Sequence, residues 1–233
     1  DKCKIGYVGA FPYAEVISGF TSFYLGVKSV CDSATMEVKY TNSWASFDLE
    51  KECAEQLIAD GCVLISQHAD TTGAPTACEA KKVPCVGYNI DMIPTAPDAA
   101  LTSATINWGP YYTYAVQSVI GGTAIDTDWS KGVKDGADAI TELNDKTVAK
   151  GTKEKVEEAQ KGIEDGTIHV FDTSKFTVGG KTLEELVESG DEDATKLQSY
   201  IKDGYFHESD VAGGMTSAPA FTFIIDGIDS ITK

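Results

Sequence analysis

Strand-like and helix-like hydrophobic patterns alternate through the first ninety residues of this chain. Short apolar runs bounded by turn residues indicate buried strands, and apolar residues at intervals of three and four indicate amphipathic helices. The strands are predicted at 4–11, 36–44, 62–67 and 84–89, and the helices at 15–31, 48–60 and 72–82. Because helical crossovers connect parallel strands, the alternation predicts an α/β fold with a Rossmann-like, doubly wound parallel sheet.

The rest of the chain alternates less regularly. A strand is predicted at 100–108, helices at 109–120 and 150–166, a hairpin at 130–145, a further strand at 168–176, and short helices at 182–189 and 193–204. The helix at 109–120 carries an apolar face that includes Tyr114, Val116 and Ile120. A face of this kind needs a sheet or another chain to cover it, so we expect it to be exposed if neither is present.

Charge and composition narrow the classes of partner. The net charge of −17 disfavours nucleic acid and anionic membrane surfaces. All 19 basic residues are Lys, so the chain offers no guanidinium to clamp a carboxylate or phosphate. The six cysteines show no CxxC spacing and no cluster with His, so no zinc site and no other cofactor is predicted. Cys31 and Cys53 fall at apolar helix positions that suit buried free thiols, and cysteine pairing stays open.

Aromatic and neutral polar residues, with two carboxylates, follow the predicted strands. Ligands of open parallel sheets bind beyond these carboxyl ends. The residues there include Phe11 after the first strand, Trp44 after the second, His68, Asp70 and Thr71 after the third, Asp91 after the fourth, and Asn107 and Trp108 after the fifth. Aromatic faces stack on flat rings, and carboxylates accept hydrogen bonds from amino and hydroxyl groups. The pattern favours a planar small molecule over a phosphorylated or zwitterionic one.

The same residues also have structural interpretations. Asp70 or Thr71 can cap the helix that begins near residue 72. Asp91 can brace a turn, and Trp44 and Trp108 can belong to the core, as aromatic residues near strand ends often do. These interpretations and ligand contact both stay open at this point.

A catalytic interpretation rests on His68 and Asp70 as an acid–base pair. They are two positions apart on an extended segment, so both side chains can face the same side. No nucleophile is evident beside them, and the chain lacks a nucleophile elbow, a phosphate-binding loop and the dinucleotide-binding glycine pattern. An α/β enzyme is therefore an alternative rather than the leading hypothesis.

Four segments, taken in order, resemble the basic membrane protein (BMP) family. They are KIGYVGAFPYAEVISGFTSFYLGVKSV at 4–30, QHADTTG at 67–73, YNIDM at 88–92 and LTSATINWGPYYTYAVQSVIGGT at 101–123. The family comprises purine nucleoside receptor-like substrate-binding lipoproteins of ABC transporters. The resemblance implies a type I periplasmic-binding-protein fold, in which two Rossmann-like lobes close on a ligand without catalysis.

The resemblance also implies an arrangement of lobes, with the second lobe and part of the first present in this chain. Residues 1–97 and 124–176 would form the second lobe, and 98–123 would be the strand and helix that cross to the first. Residues 177–233 would be a C-terminal tail packing on the lobes. The N-terminal segment that builds most of the first lobe in the family has no counterpart here, so this segment is an expected partner.

By the same resemblance, Phe11, Gly73 and Asp91 match ligand contacts of the family, and Asp91 would hold ribose hydroxyls. Ile106 stands where nucleoside-binding members carry a Lys that meets the base, a departure that remains compatible with a stacked nucleobase. The full predicted set of ligand-binding residues is Phe11, Trp44, His68, Asp70, Thr71, Gly73, Asp91, Asn107 and Trp108.

The function implied is an extracytoplasmic solute-binding component of an ABC importer that binds a purine nucleoside or nucleobase. Its further partner would be the ABC permease, and its location would be the cell surface or periplasm as a membrane lipoprotein. Two alternatives remain: a ligand-sensing domain of a membrane receptor, and the enzyme with His68 and Asp70 described above.

Overall fold

The computed structural model describes residues 3–208, 210–211, 214–215 and 219–231. Its main feature is a seven-stranded sheet in the order β11-β2-β1-β3-β4-β5-β6. The strands of this sheet are β1 Lys4–Gly9, β2 Thr35–Tyr40, β3 Leu64–His68, β4 Cys85–Tyr88, β5 Ala100–Ile106, β6 Asp138–Ile140 and β11 Ile228–Ile231. All neighbouring strands are parallel except β5 and β6. The sequence prediction of an α/β fold with a parallel sheet is thus confirmed.

Helices connect these strands and flank the sheet. The helices are α1 Ala14–Lys28, α2 Phe47–Ala59, α3 Gly73–Lys81, α4 Gly109–Gly121, α5 Thr152–Glu164, α6 Leu183–Glu188 and α7 Glu192–Lys196. Short strands β7 Ile201–Lys202 and β8 Tyr205–Phe206 pair with each other, as do β9 Asp210–Val211 and β10 Gly214–Met215. The predicted helices match these within a few residues at each end, except for the helix predicted at 193–204, where α7 ends at Lys196.

Two hydrophobic clusters form the core, one on each face of the sheet. The first holds Ile5, Tyr7 and Phe20 with aromatic residues from the C-terminal part of the chain, and the second packs α2 and α3 against residues such as Val8 and Ile65. Neighbouring strand residues belong to opposite clusters because successive side chains point to opposite faces. This explains why β1 reads as a continuous apolar run rather than an alternating one.

The order of strands creates a switch point between β1 and β3. The chain leaves β1 through α1 toward β2 on one side, and from β3 it continues through α3 toward β4 on the other. Loops at the carboxyl ends of β1 and β3 therefore diverge and leave a crevice, which is where ligands bind in open α/β sheets. The switch point places the loops after β1, β2 and β3 together at one edge.

Three sequence predictions of secondary structure are wrong. One is the helix at 193–204, which is instead α7 followed by a 3₁₀ turn, Gln198–Tyr200, and β7. The hairpin expected at 130–145 is instead a 3₁₀ turn, Val133–Asp135, followed by β6, which pairs antiparallel with β5. The segment 168–176 forms no strand; it has an isolated bridge from Asp172 to Tyr205. There the Asp172 carboxylate accepts hydrogen bonds from the Ser174 amide and hydroxyl, which turns the chain locally.

The C-terminal part contributes more to the sheet than its loose pattern suggested. Strand β11 pairs with β2 in parallel and extends the sheet, and Phe221 and Ile225 are buried beside α1 and β2. Some residues of the predicted tail, at 209, 212–213, 216–218 and 232–233, lie outside the described residues, as do 1–2. The predicted lobe boundaries remain a prediction, although β5, expected to cross to the first lobe, pairs here with β4.

Helix α4 stands out from the packed part of the structure. Within this fully described helix, Ser118 is the one buried residue, while Val116, Val119 and Ile120 are exposed, Ile120 by 81%. The apolar face expected from the sequence is thus uncovered in this structure. Helix α4 begins after β5 with two residues between them, next to the carboxyl edge of the sheet.

Candidate ligand site at the carboxyl edge of the sheet

A chain of ring contacts runs along the loops at the ends of the first four strands. Phe11 stacks on Tyr13 with ring centroids 5.1 Å apart and lies 5.6 Å from the ring of Trp44. Trp44 meets the edge of His68 at 6.2 Å, and His68 lies 4.4 Å from Tyr88. We call these five residues the aromatic wall. Tyr13 is half exposed and Phe11 and Trp44 are partly exposed, so these three rings are accessible to solvent at the switch point.

His68 closes the inner end of the aromatic wall. Its side chain is buried, with 8% of the residue exposed, and its Nε2 has no hydrogen-bond partner. Burial lowers the pKa of His68 to about 4, so the imidazole is neutral at pH 7. The Glu15 carboxylate lies 3.7 Å away and is half exposed, which is too distant for a hydrogen bond and too solvated to offset the burial. His68 therefore has a neutral, buried nitrogen without a hydrogen-bond partner, and its role as a ligand contact remains a prediction.

A buried carboxylate, Glu50, holds the loop after β3 in place. Both of its oxygens lie 3.2 Å from the backbone amide of Thr71, which donates to them. Glu50 is fully buried in α2, and this burial raises the pKa of its carboxyl while the hydrogen bonds from Thr71 oppose the rise. Gln67 adds two contacts by donating from Nε2 to the carbonyl oxygens of Ala69 at 2.7 Å and Thr71 at 3.0 Å. The loop is thus anchored from below.

The same loop is tied sideways to the loop after β2. The Asp70 amide donates to the Trp44 carbonyl oxygen at 2.8 Å, so the Asp70 backbone and the Trp44 ring are positioned together. The Thr71 hydroxyl accepts from the Gly73 amide at 3.2 Å just before α3. The N-cap residue of α3 is Thr72 and the helix has no side-chain capping bond, so the prediction that Asp70 or Thr71 caps it is wrong. The Asp70 side chain is exposed and stands next to the aromatic wall.

Gly73 is needed for packing at this junction. It is buried, and a Cβ at this position would collide with the Phe47 carbonyl oxygen and lie 3.0 Å from the Cβ of Glu50. The first turn of α3 approaches the first turn of α2 too closely for any side chain. A ligand contact from Gly73 remains a prediction, and its backbone is fixed by this close approach.

The remaining predicted residues are arranged differently. Asp91 is exposed, and its Oδ1 accepts from the Ile93 amide at 2.9 Å, so it braces the turn after β4. Asn107 Oδ1 accepts from the Gly109 amide at 3.1 Å, and its Nδ2 donates to the Gly136 carbonyl oxygen at 2.9 Å. Both side chains thus have structural partners, and their roles as ligand contacts remain predictions.

Trp108 belongs to a second aromatic group around the start of α4. It is half exposed and stacks on Tyr112 with ring centroids 6.1 Å apart. Tyr111 contacts both of these rings and Trp129, which in turn stacks on Tyr114. These ring contacts join members of the group to one another. The structure therefore joins Phe11, Trp44 and His68 into one wall and places Trp108 in another setting.

Three residues of this site were not predicted. Tyr88 is the last residue of β4, and Tyr13 follows Phe11 by two positions. Glu50 shares a helix face with the buried residues Cys53 and Leu57, and a lone acidic residue on an apolar face was the signal available for it. Final strand positions were the corresponding signal for Tyr88.

A cavity of about 910 Å³ adjoins the inner end of the aromatic wall. It runs over the sheet between α1 and the segment that contains α5, and its floor includes Tyr7, Ser66 and Ala104. His68 and Tyr88 line it where it meets the wall. Burial raises the pKa of Tyr88 to about 12 and that of Tyr7 further, so both phenols stay protonated and can donate hydrogen bonds.

Neither a cluster of potential metal ligands nor a membrane-spanning helix is found in the described part of the chain. No group of three or more His, Cys, Asp or Glu there could hold a metal ion. None of the described helices has both the length and the apolar character needed to cross a bilayer.

A family model for PnrA-like substrate-binding proteins of ABC transporters, called Bmp, matches residues 1–172. This chain belongs to the Bmp family. The match includes the aromatic wall, Glu50 and all of the predicted ligand-binding residues. The resemblance noted from the four sequence segments is thus confirmed. Substrate-binding proteins of ABC transporters are extracytoplasmic proteins that bind small molecules and work with permeases.

Curated relatives of this Bmp-family chain bind different solutes according to their names. A purine-binding protein of Brucella abortus is 32% identical over 71% of this chain and 47% of its own length. A putative ABC transporter glucose-binding protein, TsgA13, of Haloferax volcanii is 30% identical over 76% of this chain and 45% of its own length. The chain therefore spans about half the length of these curated relatives.

Solved structures support the fold. A solute-binding protein of an ABC transporter from Conexibacter woesei has a TM-score of 0.55 and 20% identity, over 71% of this chain and 56% of that one. One from Aeropyrum pernix has a TM-score of 0.60 and 16% identity, over 83% and 64% of the two chains. This Bmp-family chain has the periplasmic-binding-protein fold, as the sequence resemblance implied.

Proposed function

We propose that this protein is the solute-binding component of an ABC importer and that it binds a purine nucleoside or nucleobase at the aromatic wall. The single observation that carries the proposal is the cluster of Phe11, Tyr13 and Trp44, whose partly exposed rings lie together at the switch point of a parallel sheet. Stacking on such rings contributes about 1–3 kcal/mol per base in proteins that bind nucleobases. No chemical step is required of the site.

Polar groups near the wall would select the edges of the ring system. The neutral His68 Nε2 lacks a partner and can accept a hydrogen bond from an exocyclic amino group or a ring N–H, in the appropriate tautomer. Asp70 lies next to the wall, and Asp91 follows the neighbouring strand β4, so either carboxylate can accept hydrogen bonds from ribose hydroxyls. The name of the Brucella abortus relative supports a purine.

A sugar is the second candidate ligand. The Haloferax volcanii relative is named as a putative glucose-binding protein, and sugar rings also stack on aromatic faces and donate to carboxylates. The two candidates differ in what they need from the wall, since a purine uses a broad planar contact and an aminated edge. Loss of ring area from the aromatic wall should therefore weaken the binding of a purine more than the binding of a hexose.

Isothermal titration calorimetry of the 233-residue chain with adenosine, guanosine, hypoxanthine and glucose tests the proposal. We expect saturable binding of a purine, weakened about ten-fold or more by Trp44→Ala, because that change removes one stacking face. Trp129→Ala is the matched control, since Trp129 packs on Tyr114 beside α4. Binding of glucose alone, or equal losses in the two variants, would contradict the assignment.

The two alternative functions predict other outcomes. An enzyme using His68 and Asp70 would convert a nucleoside to product during the incubation, and a pKa of about 4 for a buried imidazole makes it a weak base for that role. A receptor sensor domain would bind ligand in the same way without a permease. The proposal also includes closure of two lobes on the ligand, lipoprotein anchoring and pairing with a permease. It further includes an N-terminal segment that contributes to the first lobe.

A further inference from the structure

The floor of the cavity consists of two neighbouring rows of side chains on one face of the sheet. The register of β1, β3, β4 and β5 aligns the members of each row across the strands, and the second row follows the first by two residues. Side chains two residues apart on a strand point to the same face. The rows are Tyr7, Ser66 and Val86, and then His68, Tyr88 and Ala104. The floor therefore combines small and apolar side chains with several polar atoms.

Helix α1 forms one side of the cavity with a face of small residues. Gly19, Ser22 and Gly26 lie on this face at intervals of three and four. A Cβ on Gly19 would lie 2.8 Å from His68 Nδ1 and 3.2 Å from Tyr7 Oη, so the helix meets the floor at this point. A Cβ on Gly26 would have no described atom within 4 Å. The space between α1 and the sheet thus widens from Gly19 toward Gly26.

The segment that contains α5 forms the other side with apolar side chains that the protein leaves exposed. Ile163 of α5 and the following Ile168 and Val170 line the cavity and are exposed. Such side chains lose contact with water when an apolar molecule fills the space beside them. The described charged residues of the lining are two lysines and two aspartates, Lys28, Lys175, Asp32 and Asp172. Their charges cancel, so the cavity has no net attraction for an anion or a cation.

His68 provides an independent indication that a ligand belongs in this cavity. Its ring lines the cavity, yet its Nε2 is buried and has no hydrogen-bond partner among the described residues. Most buried polar atoms in native proteins have a partner. The neutral imidazole has one accepting and one donating nitrogen, and the phenols of Tyr7 and Tyr88 can donate as well. A hydroxyl group complements this set because it both donates and accepts.

We propose that the cavity is a second binding site, which takes an uncharged and mainly apolar alcohol. The hydroxyl would pair with His68 and a neighbouring phenol, and the hydrocarbon part would fill the space between α1 and the α5 segment. A volume of about 910 Å³ lies within the range of small-molecule sites. The accessible rings of Phe11, Tyr13 and Trp44 lie outside the cavity lining. The inference therefore does not depend on the identity of the ligand at the aromatic wall.

Isothermal titration calorimetry of the 233-residue chain with 1-octanol tests the proposal. We expect saturable, one-to-one binding of 1-octanol and at least about ten-fold weaker binding of octanoate, because a carboxylate is harder to bury than a hydroxyl. Absence of saturable 1-octanol binding overturns the site, and equal affinity for octanoate overturns its assignment to an uncharged ligand. Titration with adenosine is a separate measurement, so failure of the purine proposal would leave the 1-octanol result standing.

Two substitutions on adjacent strands test the location of the site. Ala104→Phe should weaken 1-octanol binding at least about ten-fold, because the new ring would stand on the cavity floor and occupy its space. Ala139→Phe is the matched control, since Ala139 of β6 is exposed and lies opposite Thr105, whose side chain points to the other face of the sheet. Equal losses of affinity in the two variants overturn the location.

Methyl NMR spectra of the wild-type protein locate the alcohol even if a variant fails to fold. We expect 1-octanol to shift the methyl resonances of Val86 on the floor and Ile163 on the α5 side. Val119 and Ile120 on the exposed face of α4 serve as an internal reference for non-specific apolar binding. Unchanged Val86 and Ile163 resonances, or shifts confined to the two α4 residues, overturn the inference.

Discussion

Acidification from pH 7 to pH 4 should destabilise this protein more than its His68→Gln variant. His68 is buried at the inner end of the aromatic wall, and its pKa of about 4 lies well below the ordinary value of 6.5 because burial disfavours the charged imidazolium. The groups that face it are the Glu15 carboxylate at 3.7 Å, the Tyr88 ring at 4.4 Å and the Trp44 ring at 6.2 Å. None of these groups compensates the imidazolium for the hydration that it loses on burial.

The magnitude follows from the difference between the two pKa values. Between pH 6.5 and pH 4 the imidazole of the unfolded chain binds a proton that the folded protein excludes, so the free energy of unfolding falls as the pH falls. The His68 contribution is intact above pH 6.5 and is lost progressively toward pH 4. A shift of this size corresponds to about 3 kcal/mol, since each unit is worth about 1.4 kcal/mol.

Two other groups change the free energy of unfolding with pH in the opposite direction. Burial raises the pKa values of the Glu50 and Glu208 carboxyls, so their stabilising effect is greatest at low pH and is lost as the pH rises through their folded-state pKa values. These groups are present in both the wild type and the variant. The difference between the two stability curves therefore isolates His68.

Urea unfolding at half-unit intervals of pH measures this difference directly, and His169→Gln serves as a control at an exposed histidine. The chain has three histidines, so their imidazole resonances can be assigned by mutation and followed by NMR in the same pH range. Parallel stability curves for wild type and His68→Gln, or a His68 resonance that titrates at or above pH 6.5, would refute the reasoning.

Two substitutions probe the anchoring of the loop after β3. Glu50→Ala should lower the free energy of unfolding by about 2 kcal/mol, because it leaves the Thr71 amide without its charged acceptor. Glu50→Gln keeps an acceptor and should lower the free energy of unfolding less. Urea unfolding of the two variants measures both losses. Gly73→Ala should cost about 1–3 kcal/mol, because the new Cβ collides with the Phe47 carbonyl oxygen. Gly26→Ala in α1 is its matched control, because no atom lies within 4 Å of the added Cβ and alanine favours the helix. Equal effects at the two glycines would show that close packing at Gly73 is not limiting.

Much of the candidate site could be predicted because its position depends on local sequence. Phe11, Trp44 and His68 each follow or end a strand that the apolar pattern reveals. Parallel strands align their carboxyl ends, so these three side chains were expected at one edge before any contact was known. The ring contacts from Phe11 through Trp44 to His68 agree with that expectation.

Other parts of the site depend on contacts between distant segments. Glu50 supports Thr71 across two elements, and only the packing of α2 against α3 makes a buried carboxylate acceptable there. The chemistry of Asp91 and Asn107 predicts ligand contacts, but each side chain has a backbone partner that the sequence pattern does not reveal. The pattern indicates which residues reach the edge, while the hydrogen bonds of the folded loops decide what those side chains do there.

The order of helices and strands from β1 to α4 and the parallel pairing of β1 to β5 could be predicted from the sequence, which also predicts the carboxyl edge as the place for a ligand. These follow from hydrophobic periods and connection lengths, which are local properties of the chain. The addition of β11 to β2, the antiparallel pairing of 138–140 with β5 and the support of Thr71 by Glu50 appear only in the folded chain. Strand partners and side-chain contacts of this kind depend on which surfaces remain available after the core has packed, and no local pattern carries that information.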